Sequence, residues 1–498
     1  MLLDHLADEN RPHSLDSHIQ EISQSTYKKD FWEKYDDWNN ADESDKYNYV
    51  MMDVVYTQYA HERIEESLKK QGISIDLCQH VHKLAFALLD TRLKGLRIDV
   101  KKLVSLGEEL FSLIKETEQK MLCSSQPQRE LLELNMWSEA IEKAYTPKGK
   151  KWKEIPKPSL NFASSAQIGR LLYDYIGLPE QLNSKTKKRT VDDDALEKLG
   201  DAHPLLIDLR NYRKYCKMQS AFIDGIRDKL EGNRIYPDYN VNGTVTGRLS
   251  HASPNVAQIP SSEEWAKIRN VFIPEDGYDV ISADYGMLEV VIAAHYSQDP
   301  NLLKIINEGA SKHDITAEAL GVDRASAKTL NFALQYQCGP NKVAKILGVS
   351  SKEGQYFYDK YWETYSGEKR VIDECKKRID DGLPIITLYG RHRRFPKQFA
   401  QQWEKEAAYR AGYSALIQGS GADLTSEAFY LIAKWLKDNG LGRAWFTVHD
   451  EILVEADRAA TGTTQRQLEH YMLSVGKNRG LSIDLIVEVS TPSKFWTK

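Results

Sequence analysis

Apolar and polar positions follow helical spacing over most of this 498-residue chain. The first 75 residues are polar and acidic, and the stretch DVVYTQYAHERIEESLKKQG predicts a helix that stops at Gly72. Helical patterns continue over about 76–232, where the Lys- and Pro-rich TPKGKKWKEIPKPS predicts an exposed loop, and return over about 310–415. The pattern predicts helical segments joined by short breaks.

Two stretches break the helical pattern and predict strands. GYDVISADYG is an apolar run that ends in an acidic residue, which is typical of a buried strand, and we expect a helix after it. AWFTVHDEILVEA predicts a two-stranded hairpin whose turn carries His449, Asp450 and Glu451. Farther upstream, RIYPDYNVNGTVTGRLS is rich in turn formers and β-branched residues.

Composition narrows the class of protein. The hydrophobic fraction of 41% is ordinary for globular proteins, and the net charge of −5 gives no sign of nucleic-acid binding. No apolar run reaches membrane-spanning length, and the N-terminus is acidic where a signal peptide is basic, so we expect a cytoplasmic protein without a membrane segment. The five cysteines form no CxxC pair and predict reduced structural thiols.

Basic residues are clustered although the net charge is negative. One such cluster is more typical of a solvated surface, but several together suit grooves that neutralise phosphates. The clusters are Lys148, Lys150, Lys151 and Lys153; Lys185, Lys187, Lys188 and Arg189; and Arg391, Arg393, Arg394 and Lys397.

Two aspartates stand where predicted strands lose their regularity. Asp284 ends VISAD and Asp450 lies in VHDE. An aspartate at a strand end is most often a turn or helix cap. If both side chains are ionised and half-buried, however, they need a cation, and a pair of hard oxygen ligands suits Mg²⁺. Two such ions can activate an attacking hydroxyl and stabilise a leaving oxygen.

The stretch DRASAKTLNFALQYQ carries an unusual stripe. Arg324, Lys328, Phe332 and Tyr336 recur at every fourth residue, so a helix aligns two cations followed by two aromatic rings. Cations in this arrangement can bind a triphosphate while an aromatic ring packs on a base. An amphipathic helix with extended Arg and Lys side chains is the alternative interpretation.

Six segments resemble signatures of family A DNA polymerases, the DNA polymerase I-type group, and in particular their bacteriophage branch, and they follow one another along the chain in the same order as in that family. DYGMLE, RxxxKxxNF and VHDE resemble motifs A, B and C, while TVTGRLSHASPNVAQIP, YGRHRRFP and QGSGADLTSEA resemble the connecting signatures. The resemblance runs from about residue 45 to the C-terminus. It implies a template-directed DNA polymerase of phage replication that uses primer-template DNA and dNTPs.

The resemblance also implies an α+β right-hand fold, with an antiparallel-sheet palm and helical fingers and thumb. The expected segments are a partial 3′–5′ exonuclease-like domain at 1–75, thumb and connecting helices at 76–232, palm at 233–308, fingers at 309–415 and palm again at 416–498.

Site residues are carried over by the same resemblance. Asp284 and Asp450, with the backbone of Tyr285, would hold two Mg²⁺ ions, with Mn²⁺ as an alternative. Asp284, Asp450, Lys328 and Arg324 form the expected catalytic set. The expected nucleotide-binding residues are Glu289, His313, Arg324, Lys328, Phe332 and Tyr336. The expected DNA-binding residues are Arg210, Arg213, Lys217, Arg248, Arg410, Gln418 and His449.

Individual roles follow from the motif positions. Glu289 would exclude a ribonucleotide's 2′-hydroxyl, Phe332 would stack near the incoming nucleotide, and Tyr336 would guard the template-base slot. Arg248 and Gln418 would contact the minor groove, His449 the primer terminus and Arg410 the template. Arg210, Arg213 and Lys217 would form the phosphate-binding helix of the thumb.

The chain departs from the motifs at several positions. Gly286 and Met287 replace a Ser-Gln pair and Val291 replaces an arginine in motif A; Ala333 and Gln337 stand where motif B has glycines; and Ser414 replaces a template-contacting Asn. These departures remove no expected metal ligand, so we expect them to affect fidelity and substrate tolerance.

The exonuclease resemblance is incomplete. Tyr49 and Asp53 resemble the final element of a nuclease site, whereas its earlier carboxylates are absent, so they are either relics or functional. We expect that the missing part is either supplied by a separate exonuclease polypeptide or was lost. Other replisome proteins are further expected partners. A single-subunit RNA polymerase is the nearest alternative function, disfavoured by Glu289 and by NF after Lys328. A non-catalytic DNA-binding scaffold is another, disfavoured by the retained acidic and basic residues.

Overall fold

The computed structural model describes residues 2–144, 156–183, 186–262, 264–335 and 337–497. The chain forms two compact units, the first comprising Met1–Arg97 with Tyr236–Lys498 and the second Ile98–Ile235. Tyr336 and the basic residues at 148, 150, 151, 153 and 185 lie outside the described residues.

The elements up to the end of the second unit are α1 (Leu2–Ala7), α2 (Leu15–Ile22), α3 (Tyr27–Lys34), α4 (Glu43–Lys70), α5 (Ile75–Lys94), β1 (Leu96–Ile98), α6 (Val100–Ser124), α7 (Gln126–Ala144), α8 (Ser165–Gly169), α9 (Asp193–Leu199), α10 (Pro204–Lys217), α11 (Gly225–Arg227) and β2 (Arg234–Ile235). Short 3₁₀ or π turns lie at Trp38–Asn40, Arg170–Tyr175, Met218–Asp224, Val256–Gln258 and Arg458–Ala460.

The elements that follow are β3 (Asp238–Asn240), β4 (Ser250–Ala252), α12 (Ala266–Arg269), β5 (Phe272–Ile273), β6 (Tyr278–Gly286), α13 (Leu288–Ser297), α14 (Pro300–Glu308), α15 (Lys312–Leu320), α16 (Arg324–Gln335), α17 (Pro340–Leu347), α18 (Ser351–Thr364), α19 (Ser366–Asp380), β7 (Ile385–Ile386), β8 (His392–Arg393), α20 (Gln402–Asn439), β9 (Gly442–Val448), β10 (Glu451–Asp457), α21 (Thr461–Asn478) and β11 (Ile486–Val489).

A four-stranded antiparallel sheet organises the first unit, with the order β11-β6-β10-β9. β6 and β10 are apolar and buried over most of their length, which is the pattern expected of inner strands. The predicted strand over GYDVISADYG, the helix after it and the predicted hairpin are confirmed. One detail was wrong: Glu451 begins β10 and pairs with Val448, so the turn consists of His449 and Asp450 alone.

The long helix α20 packs on this sheet and on neighbouring helices of the first unit. From Gly412 to Tyr430 nearly all of its residues are buried, including polar ones such as Ser420 and Asp423. A helix that is buried all round lies in a core, so its polar groups need internal partners. Gly440, in the left-handed conformation with φ 65°, ends the helix. The helix is continuous from Gln402 to Asn439. The expected boundary between fingers and palm, after residue 415, therefore falls inside one helix.

Helix α4 has two apolar faces of different environment. Its inner face places Tyr56, Ala60, Ile64 and Leu68 at every fourth residue and is buried. On its other side, four apolar side chains at helical spacing are exposed: Tyr47 (71%), Val50, Met51 and Val54 (65%). Gly72, with φ 69°, follows the helix where the sequence predicts its end. The outer apolar face therefore contacts solvent.

The second unit is helical around its own core. Buried Leu, Ile, Phe and Tyr side chains from α6 to α10 form one cluster that includes Leu132, Ile168 and Leu206. Among the described residues, no helix is long and apolar enough to cross a membrane. The molecule has the helix-rich α+β fold with small antiparallel sheets that was predicted.

Candidate active site

Asp284 and Asp450 meet at one end of the central sheet. Asp284 on β6 pairs across the sheet with Glu451, the first residue of β10. The Tyr285 amide donates a hydrogen bond to the Asp450 carbonyl over 3.4 Å. The sheet register therefore makes the two aspartates neighbours, although 166 positions separate them in the sequence.

The electrostatics of Asp450 favour a cation. Its side chain is 23% exposed. Burial raises the pKa of Asp450 to about 6, with Arg248 opposing the rise and Glu289 and Asp284 adding to it. A nearby divalent cation would relieve this crowding of negative charge.

The donor set fits a hard metal ion held partly by ligands from outside the chain. Among the described residues no three His, Cys, Asp or Glu side chains form a metal-binding group. Mg²⁺ characteristically takes one or two carboxylates and completes its shell with water and substrate phosphates. Asp284 and Asp450 can hold such an ion in this way.

Arg269 contacts Glu451, the residue next to Asp450, and was not among the expected site residues. Its guanidinium lies 3.6 Å from the Glu451 carboxylate and 4.5 Å from the centre of the Trp496 ring. Burial lowers the pKa of Arg269, which Glu451 and Asp284 oppose. No motif or spacing in the sequence links residue 269 to this site. The buried cation therefore adds positive charge near Glu451 and Asp284.

Glu289 is fixed by donors from two other segments. One Arg248 Nη donates to Glu289 Oε1 over 3.0 Å, and Gln335 Nε2 donates to Oε2 over 3.1 Å. The same Arg248 nitrogen is 4.0 Å from Asp450. Gln335 is the last residue of α16 and was not among the expected site residues. The arrangement joins Glu289, Arg248 and Asp450 into one charged group.

Helix α16 forms as predicted and exposes the three stripe residues that the structure describes, Arg324, Lys328 and Phe332. Its buried face consists of Ala327, Leu330, Asn331 and Leu334. Phe332 is 55% exposed, and Lys328 is exposed as well. Arg324 donates to Asp314 over 2.8 Å. The cations therefore face solvent, where a charged ligand can reach them.

His313 lies beside this helix. Its Nδ1 is 3.0 Å from the side-chain nitrogen of Asn331, and its ring centre is 6.4 Å from that of Phe332. Burial lowers the pKa of His313, and the neighbouring charges of Arg324 and Lys328 lower it further. His313, which was expected to help bind phosphate, therefore lies close to the stripe residues Arg324, Lys328 and Phe332.

A cavity of about 340 Å³ opens beside Glu289. It brings together Glu289, Arg410 and Gln418, three of the expected site residues, with Ser414 and Gln335. Lys312 and Glu368 add charge to its wall. These residues come from α13, α15, α16, α19 and α20, so the cavity is formed only when distant segments fold together.

Two motif departures have a packing explanation. A Cβ atom on Gly286 would lie 3.0 Å from Ile486 Cγ2, because β11 pairs Ile486 directly with this position. Val291 is completely buried on α13. A small residue at 286 and an apolar residue at 291 therefore suit this sheet and helix. The structure offers no comparable explanation for Ala333.

The three arginines of the basic cluster at 391–397 do not form the expected solvated or phosphate-binding patch, whereas Lys397 is exposed. Arg391 is buried and makes two hydrogen bonds to Asp423, at 3.1 and 2.7 Å. Arg393 and Arg394 are paired with the buried Glu9, at 3.0 and 2.6 Å. These arginines are neutralised by internal carboxylates, so this part of the expectation was wrong.

The expected thumb residues lie on α10 of the second unit. Arg210 is 3.5 Å from Asp201, and Lys217 is exposed. Arg213 donates to the Val191 carbonyl, and burial lowers the pKa of Arg213. Arg213 therefore contributes to packing within its own unit.

Tyr49 and Asp53 on α4 have local partners. Asp53 accepts a hydrogen bond from the Tyr27 hydroxyl and lies 3.2 Å from Lys28. The Tyr49 ring packs against Tyr27 and Phe31, with centres 5.6 and 4.8 Å apart. These contacts explain both residues as part of the packing between α3 and α4.

Comparison with known proteins identifies the family. Residues 132–498 match the family described as DNA polymerase family A. The chain belongs to DNA polymerase family A. This family A chain is 29% identical over 425 residues to DNA polymerase I of Bacillus subtilis (strain 168), covering 82% of the chain and 44% of that protein. It is 32% identical over 346 residues to the thermostable DNA polymerase I of Thermus aquaticus, covering 66% and 41%.

A solved structure supports the fold of this family A chain. The POL domain of Pol1 from M. smegmatis, in complex with DNA primer-template and dNTP, superposes with a TM-score of 0.81 at 23% identity. The match covers 99% of this chain and 81% of the other. The chain spans less than half the length of the curated relatives that it matches.

Proposed function

We propose that this chain is a template-directed DNA polymerase that extends a primer 3′-hydroxyl with dNTPs. The observation that carries the proposal is the pair Asp284 and Asp450, held as neighbours by the register of β6 and β10 in a member of DNA polymerase family A. The structurally similar POL domain of Pol1 is in complex with DNA primer-template and dNTP, which supports the same substrates here.

Phosphoryl transfer needs positioning and charge stabilisation more than covalent chemistry from the protein. Mg²⁺ ions held by Asp284, Asp450 and the Tyr285 backbone, or Mn²⁺ in their place, would supply activation of the primer hydroxyl and stabilisation of the leaving pyrophosphate. Arg324 and Lys328 bind the triphosphate, and their exposure on α16 supports this role. His313 assists them from α15.

The remaining residues orient the nucleic acid and the nucleotide. Phe332 packs on the incoming nucleotide, and Glu289 closes the space beside its sugar. Arg410 and Gln418, which line the cavity next to Glu289, contact template and primer. Arg248 and His449 lie near Asp450 and act at the primer end. Tyr336 is assigned to the template slot by its motif position alone.

The segment names follow from this function. We assign the central sheet to the palm, α15–α19 to the fingers and the helices of the second unit, with Arg210, Arg213 and Lys217, to the thumb. Residues 1–75 remain the exonuclease-like part, in which Tyr49 and Asp53 serve packing. A role in phage replication and a separate exonuclease polypeptide remain predictions.

Primer extension tests the proposal. Wild-type protein, Asp450→Ala and Asp284→Ala are compared on a primed template with dNTPs and Mg²⁺. Each substitution is expected to reduce the rate by about 10³-fold, because a metal ligand contributes several kcal/mol to transition-state stabilisation. Asp484→Ala, which removes an exposed carboxylate paired with Lys477, is the matched control and keeps its activity.

The outcome separates this function from its alternatives. Absence of extension by the wild-type protein would contradict the proposal and favour a DNA-binding scaffold. Preferential use of ribonucleotides in a matched reaction would favour an RNA polymerase. Full activity of Asp450→Ala would show that the aspartate pair is not the catalytic centre.

A further inference from the structure

The Glu289 carboxylate has a hydrogen-bond donor on each of its oxygens. Arg248 binds Oε1 from the loop before β4, and Gln335 binds Oε2 from the end of α16. Glu289 itself lies in the first turn of α13. Three segments, separated by 41 and 46 positions in the sequence, therefore meet at one side chain.

The two donors differ in what else they contact. The guanidinium of Arg248 also lies 4.0 Å from Asp450, so its position depends on the charge at the aspartate pair. Gln335 is neutral, and its amide nitrogen donates to Glu289. A glutamate bonded through one oxygen keeps freedom about its terminal torsions, whereas bonds to both oxygens fix its plane.

We propose that Gln335 is a positioning residue that holds Glu289 against the nucleotide sugar and so sets the preference for deoxyribonucleotides. The inference rests on the proposed polymerase function and adds a determinant of its sugar specificity. Gln335 and Glu289 line the same cavity, so the bonded carboxylate forms part of the cavity wall. Without Gln335 the carboxylate turns away from this wall, and a 2′-hydroxyl finds room.

The hydrogen bond from Gln335 also connects Glu289 to α16, the helix that carries the triphosphate-binding cations. Arg324 and Lys328 lie on the same α16. The hydrogen bond from Gln335 thus fixes the end of this helix relative to α13.

The test is a single-nucleotide incorporation assay with matched dNTP and rNTP. Gln335→Leu removes the donor at similar size, and Gln335→Lys keeps a donor. The ratio of kcat/KM for dNTP to that for rNTP is expected to fall about tenfold in Gln335→Leu, as for loss of one hydrogen bond to a charged group. Efficiency with dNTP stays within about threefold, and Gln335→Lys keeps the wild-type ratio.

A double variant tests whether Gln335 acts on sugar selection through Glu289. In the Glu289→Ala background, adding Gln335→Leu is expected to lower the ratio no further, because the residue acts through Glu289. Thr329→Ala is the matched control on the same helix, since its hydroxyl bonds to the Ala325 carbonyl. Gln335→Met serves in place of Gln335→Leu if that variant does not fold.

The results distinguish failure of the proposed polymerase function from failure of the positioning role of Gln335. Wild-type protein that extends no primer overturns the proposed function itself. Wild-type extension combined with an unchanged ratio in Gln335→Leu or Gln335→Met overturns the positioning role alone. A further fall of the ratio in the double variant likewise overturns it, since Gln335 would then act independently of Glu289.

Discussion

Replacing Arg391 with leucine removes the cation from a buried ion pair of the first unit. The Arg391 side chain is 8% exposed and that of Asp423 is 1% exposed. The guanidinium makes two hydrogen bonds to the carboxylate, and His80 Nε2 lies 3.3 Å from the same group. A Cβ atom on Gly247 would come within 2.7 Å of the guanidinium, so the Arg248 loop rests directly on this pair.

The expected cost of Arg391→Leu is about 3–5 kcal/mol of unfolding free energy at neutral pH, because the Asp423 charge stays buried without its main partner. Urea unfolding followed by circular dichroism measures it. Arg391→Leu/Asp423→Leu is expected to recover much of the loss, since an apolar pair needs no compensation. Lys434→Leu removes one partner of an exposed pair with Asp438 and should cost under about 1 kcal/mol.

The pH dependence gives a second check. Burial alone would raise the pKa of Asp423, but Arg391 and His80 lower it to about 2. Since this folded-state pKa is below the unfolded value of 3.8, the pair stabilises the wild type above pH 4 and this contribution is lost as the pH falls towards 2. The deficit of Arg391→Leu should therefore shrink in acid. A deficit below about 1 kcal/mol at pH 7, or one that stays unchanged in acid, would refute the reasoning.

Two other predictions concern the nucleotide site and acid stability. Phe332→Tyr is expected to make dideoxynucleotides better terminators, since a hydroxyl there can replace the missing 3′-hydroxyl; unchanged termination ladders would contradict the placement of α16. Burial between Tyr239 and Phe446 lowers the pKa of His251 to about 4. Neutral His251 stabilises the fold fully above about pH 6.5, and up to about 3 kcal/mol is lost as the pH falls to 4. His251→Phe should lose this acid sensitivity, and parallel pH profiles of unfolding free energy for variant and wild type would argue against it.

The hydrophobic pattern predicted these helices and strands well, because the periodicity of a helix or a strand depends only on residues that are close in the sequence. β6, the hairpin and α16 form where apolar spacing predicts them, and Asp284 and Asp450 become neighbours through strand pairing. That these two aspartates lie side by side could be predicted only from the family resemblance, because two short apolar runs do not specify how their strands pair.

Contacts between distant segments could not be predicted in this way. Arg391 was expected at the surface because arginines usually lie there, yet Asp423 in the buried part of α20 pairs with it. Glu9, more than 380 positions away, pairs with Arg393 and Arg394. The same holds for Gln335, whose role depends on a partner 46 positions earlier.

The outer face of α4 affects how the isolated chain behaves in concentrated solution. Tyr47, Val50, Met51 and Val54 leave an apolar strip in contact with water. Because sulfate is excluded from protein surfaces and strengthens apolar association, we expect ammonium sulfate to precipitate the chain at a lower concentration than a form with acidic residues in the strip. We also expect the strip to lengthen retention on a phenyl column relative to that form.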